Sequence, residues 1–196
     1  MFIVIEGIDG AGCETQAKLV ADKLQKTGKM VSLIKYPNYS SPIGQMIKKF
    51  LYENEVLTAQ EQFLLYSLQF VFDTQFIKKE TEKGFLVADR YFTSTLCYQI
   101  LEGVEEKTAL RFAADFGIIK PDFVFYLDVA PPVAAKRKFG ENKILNFREK
   151  DFQFMEKTYA KYNDLVKRGV WTKWERINGE REPDVIAEEI VNKIKT

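Results

Sequence analysis

The alternation of short apolar runs with helical patterns is the feature that most restricts the fold of this chain. Five runs rich in β-branched and aromatic residues are predicted strands, separated by segments with a helical spacing of apolar residues. The predicted strands span residues 2–5, 30–34, 85–88, 123–127 and about 174–177, and the predicted helices span about 13–27, 42–51, 58–83, 94–101, 105–116 and 150–167, with two more that begin near 132 and 183. This order predicts an α/β protein with a five-stranded parallel sheet between helices.

The ends of the predicted strands carry the polar residues of interest. Ligands of parallel sheets bind beyond the carboxyl ends of the strands. The candidate segments follow the first four strands in turn: 7–15, then Tyr36-Pro37, then Asp89-Arg90, then Asp128. We therefore expect one ligand site assembled from several strand ends.

The glycine-rich stretch GIDGAGCETQ at residues 7–16 has the form of a phosphate-binding loop. It lies between a predicted strand and a predicted helix, where glycines let backbone N–H groups converge on a phosphate. The candidate phosphate-binding residues are Gly7, Gly10, Ala11, Gly12, Cys13, Glu14 and Thr15. However, Cys13 and Glu14 stand where such loops carry a lysine and a serine or threonine.

The composition excludes several kinds of site. The 196 residues contain no histidine, so histidine-based triads and histidine metal sites are excluded. The net charge of +1 provides no polybasic surface for nucleic acid or membranes. The two cysteines lack metal-type spacing, and no apolar run approaches the ~18 residues of a membrane span. We expect one cytoplasmic domain over 1–196, without a nucleic-acid or membrane partner.

Five motifs in a fixed order carry a family resemblance. They are FIVIEGIDGAG with TQ at 15–16, VADRY at 87–91, STLCYQ at 94–99, KPDFVFYLDV at 120–129 and AAKRKFG at 134–140. In these motifs the chain resembles the thymidylate kinases, a family of P-loop nucleoside-monophosphate kinases, over nearly its whole length. The resemblance implies a P-loop NTPase-like three-layer sandwich with a lid segment at about 136–150.

The implied reaction transfers the γ-phosphoryl group of ATP to dTMP, with Mg²⁺ as cofactor. Such transfer requires in-line positioning and positive charge rather than histidine. By resemblance, Asp9 binds the nucleotide sugar, Asp89 organises Mg²⁺ and Arg90 clamps phosphate. Arg137 would pack on adenine or reach the phosphates as the lid closes. The implied acceptor pocket comprises Asp9, Tyr36, Pro37, Tyr66, Arg90, Ser94, Tyr98 and Gln99.

Structural roles stay open for several of these residues. Asp9 could simply shape a turn, and Asp89 and Arg90 could form an ion pair at a strand end. Three others could be ordinary core or surface residues: Tyr66, Tyr98 and Arg137.

The departures from the family pattern gather around the phosphates and the acceptor. Loss of a loop lysine should raise the barrier to transfer by roughly 4 kcal/mol unless another group replaces it. A cysteine at a helix N-terminus is expected to be biased toward the thiolate, so Cys13 and Glu14 would both repel nucleotide. Tyr39 and Phe70 replace arginines expected near the acceptor. The lid ends in LNFREK, which leaves the register of Arg148 open.

Compensation is possible from two places. The cations of the lid could close over the donor phosphates: Lys136, Arg137, Lys138, Lys143 and Arg148. Glu14 could bind Mg²⁺ directly, together with Asp89. Three hypotheses follow: an active thymidylate kinase, a kinase for another nucleoside monophosphate, or a nucleotide-binding or regulatory protein without useful turnover.

Two further expectations concern assembly and redox chemistry. Family members are often homodimers, and the apolar residues of the predicted helix at 61–77 could serve a partner or the core. A thiol of low pKa at Cys13 could act as a redox-sensitive switch, although an inert small residue is the simpler interpretation.

Overall fold

Five strands and eight helices make up the described part of the chain. The computed structural model describes residues 1–53, 55–139 and 145–195. The strands are β1 (Phe2–Glu6), β2 (Val31–Lys35), β3 (Phe85–Asp89), β4 (Phe123–Asp128) and β5 (Trp174–Asn178). The helices are α1 (Cys13–Lys26), α2 (Pro42–Tyr52), α3 (Ala59–Lys83), α4 (Phe92–Leu101), α5 (Glu106–Asp115), α6 (Pro131–Phe139), α7 (Phe152–Arg168) and α8 (Pro183–Lys195).

All five strands are parallel and lie in the order β2-β3-β1-β4-β5. The strand β1 is central and wholly buried, which explains why its first four residues are all apolar. The helix α1 packs against α8 and the first three strands, and α4 packs between α3 and α7. The predicted α/β P-loop-type fold is therefore confirmed.

Capping residues set the ends of the long helices. Thr58 accepts a hydrogen bond from the backbone N–H of Glu61, and the Glu61 carboxylate accepts one from the backbone N–H of Thr58. This capping box was predicted from the sequence. The helix α7 begins after Asp151, whose carboxylate caps Phe154, and ends at Gly169 in the left-handed conformation.

The end of β1 is held by a buried carboxylate. Glu6 is inaccessible to solvent, and it accepts hydrogen bonds from one backbone N–H and three hydroxyls. The donors are Tyr91, Thr93, Ser94 and Tyr162. These bonds tie the central strand to the start of α4 and to α7. Within the described ranges, no helix combines the length and apolar character needed to span a membrane.

Replacing Glu6 by glutamine should lower the free energy of unfolding by about 3 kcal/mol, because an amide cannot accept all four donors. Urea denaturation followed by circular dichroism measures the change. Glu82→Gln, at an exposed position, is the control and should shift stability by less than about 0.5 kcal/mol. Equal stability of the two variants would contradict the structural importance of the Glu6 carboxylate.

Candidate functional site

A cleft of about 810 Å³ opens at the carboxyl edge of the sheet. It lies where the ligand site was predicted, beyond the ends of β1, β2 and β3. Most of the predicted site residues line it: Asp9, Gly10, Gly12, Cys13, Glu14, Thr15, Tyr36, Pro37, Tyr66, Asp89, Arg90, Ser94, Tyr98 and Gln99. Gly7 and Ala11 are buried members of the loop that do not line the cleft, and Asp128 pairs with Arg176 at 2.7 Å, outside the cleft.

The glycine-rich loop has the backbone geometry of an anion site. Gly10 and Gly12 adopt left-handed conformations with φ of 87° and 95°. A Cβ on Gly10 would lie 2.2 Å from the carbonyl oxygen of Ala134, so only glycine fits there. No side chain caps the start of α1, and the first intrahelical N–H bond runs from Gln16 to Gly12. The preceding N–H groups of α1 have no intrahelical acceptor and are available to a phosphate.

The thiol of Cys13 is buried and neutral. The residue is 6% exposed, and burial raises the pKa of the thiol well above its usual value. The prediction of a thiolate was wrong. A helix N-terminus favours an anion by about 0.3–1 kcal/mol, whereas each unit of pKa corresponds to about 1.4 kcal/mol, so desolvation outweighs the dipole. The low thiol pKa on which the redox-switch hypothesis depends is therefore absent.

Glu14 forms ion pairs with two lysines. Its carboxylate contacts Lys18 Nζ at 2.7 Å and also contacts Lys35 Nζ. These hydrogen bonds, from Lys18 and then Lys35, lower the pKa of Glu14 to about 2. Glu14 is thus charged at neutral pH, but it is balanced by two cations and is not the isolated negative charge that the sequence suggested.

Arg90 and Asp9 form the polar centre of the cleft. Arg90 has a left-handed backbone with φ of 67°, and its Nη2 donates to Asp9 Oδ1 at 2.7 Å. The Tyr98 hydroxyl also donates to Asp9, at 3.4 Å, and Ser94 Oγ accepts from Arg90 at 3.3 Å. Asp9 therefore does more than shape a turn. Arg90 does not pair with Asp89, whose Oδ2 instead lies 3.5 Å from the ammonium of Lys35.

The far end of the cleft is aromatic. Tyr66 is half-buried and Tyr98 buried, and both line the cleft beside the buried side chain of Gln99. Phe70 belongs to the core, since its ring centroid lies 4.8 Å from those of both Tyr36 and Tyr91. The aromatic rings of Tyr66 and Tyr98 thus provide apolar surface at this end of the cleft.

Three cations of the predicted lid are engaged with protein groups. Arg137 donates to the carbonyl oxygen of Gly179 at 2.9 Å and does not line the cleft. Lys138 pairs with Glu149 at 2.8 Å, and Arg148 pairs with Glu102 at 2.6 Å. Four rings surround the Arg148 guanidinium: Phe50, Tyr98, Phe147 and Phe154. Lys136 is exposed, and Lys143 lies outside the described residues.

Sequence reasoning missed three contributors to the site. Glu6 is the last residue of an otherwise apolar strand, and a charge at the end of such a strand could have indicated its importance. Lys35 likewise closes β2 at the edge where ligands bind. The hydroxyl of Tyr162 donates to Glu6 from α7, which is 156 residues away, and no local pattern marks it.

Comparisons with known proteins show which family the chain resembles. The sequence model of the family described as thymidylate kinase matches residues 5–190. The chain is 35% identical to a probable thymidylate kinase of Methanocaldococcus jannaschii, over 85% of this chain and 81% of that protein. It is 36% identical to a probable thymidylate kinase of Sulfurisphaera tokodaii, over 85% and 83%. It is also 36% identical to a thymidylate kinase of Thermosipho africanus, over 85% of each chain.

The buried thiols should be unreactive while the protein is folded. We expect Cys13 and Cys97 to resist iodoacetamide at pH 8, because burial raises the pKa of both thiols and blocks access to them. Both should react once the chain is unfolded in guanidinium, which serves as the control. Mass spectrometry of the peptides assigns each site, and rapid alkylation of Cys13 in the folded protein would contradict its burial.

Proposed function

The chain belongs to the thymidylate kinase family, and on that premise we propose that it transfers the γ-phosphoryl group of ATP to dTMP, giving ADP and dTDP. The observation that carries the proposal is that a single cleft joins a glycine-rich anion loop to a pocket lined by Tyr66 and Tyr98. Arg90 lies between these two ends. We further propose that the chain is one domain over residues 1–196 and acts in the cytoplasm, where its two unpaired cysteines would stay reduced.

The chain's own residues would act mainly by positioning. The backbone N–H groups at the start of α1 would hold donor phosphates, and Arg90 would bridge oxygens of donor and acceptor. Asp9 holds the Arg90 guanidinium by a 2.7 Å hydrogen bond and offers its second oxygen to a sugar hydroxyl or to Tyr98. The ring of Tyr66 would stack on the acceptor base.

Glu14 and Asp89 are the residues that would hold Mg²⁺. The ammonium of Lys35 already pairs with Glu14 Oε2 and Asp89 Oδ2, so Mg²⁺ would bind next to Lys35 and would not replace it. Among the described residues no group of three or more acidic or cysteine side chains could hold a metal. Two carboxylates suit Mg²⁺, which completes its shell with water and phosphate oxygens. When bound, the ion would neutralise charge on the transferring phosphate.

Two specific observations favour alternative functions. The loop has no cation at Cys13, which favours a nucleotide-binding protein without useful turnover. Tyr39 and the largely buried Phe70 both line the cleft, and neither provides the positive charge expected near a dTMP acceptor. This favours a kinase with another acceptor.

The discriminating measurement is ADP release from ATP and Mg²⁺ with each nucleoside monophosphate in turn. We expect turnover with dTMP, and at least a tenfold lower kcat/KM for the other acceptors. The control is Arg90→Gln purified in parallel, because contaminating host kinase would act equally in both preparations. A tenfold preference for another acceptor would replace dTMP, and nucleotide binding without any turnover would support the binding-protein alternative.

An apolar stripe on α3 supports a homodimer. Four residues spaced four apart lie on neighbouring turns and are between 39% and 74% exposed. They are Leu64, Leu68, Phe72 and Phe76. A contiguous apolar surface of this kind commonly marks a protein interface, and we propose that a second copy of the chain covers it.

Phe72→Glu should convert this dimer to a monomer, because it places a charge in the centre of the apolar stripe. Light scattering coupled to gel filtration measures the mass of each variant. Phe116→Glu is the matched control, an exposed phenylalanine at the end of α5, and should remain dimeric. A wild-type protein that is monomeric at ~50 μM, far above the Kd of a stable dimer, would contradict the proposal.

A further inference from the structure

The cations around the cleft divide into two groups. Three are between 7% and 17% exposed and are paired with carboxylates: Arg90 with Asp9, Lys138 with Glu149, and Arg148 with Glu102. The other two, Lys18 and Lys35, also pair with a carboxylate, but their side chains are 60% and 51% exposed. A cation that serves the phosphates of an incoming nucleotide is best sought in the second group.

Lys35 reaches the phosphate loop from the end of β2, which is separated from β1 by β3. In the sheet it lies opposite Asp89, and Asp89 lies opposite Ile5, just before the loop. Its ammonium contacts Glu14 in the first turn of α1 and lies 3.5 Å from Asp89 Oδ2. The charge is therefore at the carboxyl edge of the sheet, beside the open N-terminus of α1.

Lys18 is less well placed for this role. It contacts the other oxygen of Glu14 from one helical turn further along α1. At a rise of about 1.5 Å per residue, its backbone is roughly 7 Å further along the helix than that of Cys13. Lys18 also lines the cleft, but it pairs with Glu14 alone, whereas Lys35 lies between the carboxylates of Glu14 and Asp89.

We propose that Lys35 supplies, from the end of β2, the phosphate-binding positive charge that Cys13 does not bring to the loop, and that Glu14 positions it. This inference rests on the proposed function, and it identifies the cation that takes the place of the absent loop lysine. The inference explains both departures in the loop together. Position 13 lacks the lysine, and the adjacent Glu14 binds a lysine that comes from another strand. An ammonium has three N–H donors, so Lys35 can bind Glu14 and a phosphate oxygen together.

The test measures nucleotide affinity by calorimetry in EDTA, so that no metal contributes. Lys35→Met should weaken ATP binding by about tenfold to a hundredfold, the range for one charge-assisted hydrogen bond, and leave adenosine binding within twofold. Lys35→Arg should retain most of the affinity for ATP. Lys23→Met removes a lysine of α1 that pairs with α8, outside the cleft, and should bind ATP like the wild type.

Several results would overturn the inference. One is an unchanged affinity of Lys35→Met for ATP. A second is that Lys35→Met loses affinity for ATP and for adenosine equally. A third is that Lys18→Met loses as much affinity for ATP as Lys35→Met does, or more. Melting curves confirm that each variant is folded. These readouts need no turnover, so a wild type without kinase activity would refute the proposed function while leaving the phosphate site testable.

Turnover gives a second, independent readout where the wild type is active. Lys35→Met should lower kcat by about a hundredfold, as removal of one transition-state donor does. Adding Cys13→Lys to Lys35→Met should then restore kcat at least tenfold, since a lysine stem can extend from position 13 into the cleft. A folded double variant without recovery would show that the two positions do not share one role.

Discussion

The buried carboxylate of Glu6 is the interaction on which the rest of the site depends. A buried charge without partners would cost several kcal/mol, so the chain must bring donors to it from distant segments. The backbone of Tyr91 and the hydroxyls of Ser94 and Tyr162 meet there, which fixes the β3–α4 turn and α7 against the end of β1. Arg90 lies within that turn, 4.0 Å from Glu6, and is thereby directed at Asp9.

In the glycine-rich loop, a charge from a distant segment can take the place of a charge from the loop's own sequence. A P-loop lysine is placed by its own loop, whereas Lys35 is placed by the pairing of β2 with β3 and by Glu14. From the loop sequence alone, Glu14 is expected to weaken phosphate binding, because it adds negative charge beside the phosphate. With Lys18 and Lys35 on its two oxygens, it instead holds two cations beside the cleft.

Much of the fold was predictable because burial leaves a direct trace in the sequence. The apolar runs predicted the bounds of all five strands to within about one residue. The expectation that ligands bind beyond the carboxyl ends of the strands correctly placed the loop, Tyr36-Pro37 and Asp89-Arg90 in one cleft. Side-chain direction was not predictable. Asp89 and Arg90 are adjacent in sequence, but the left-handed backbone of Arg90 separates their partners. The state of Cys13 depended on its burial, which the helix N-terminus alone does not reveal.

Placing the phosphate cation on β2 has a consequence for how the site is maintained. The position of Lys35 depends on the edge strand of the sheet, since β2 pairs with β3 alone. That edge is secured where Phe85 N–H donates to the carbonyl of Met30, and where Gly84 approaches the same carbonyl so closely that a Cβ would lie 2.3 Å from it. Edge strands are the least protected part of a sheet. The packing at the start of β2 therefore determines whether the positive charge of Lys35, at the end of the same strand, is present at the phosphate loop. This links the stability of the sheet edge directly to nucleotide binding.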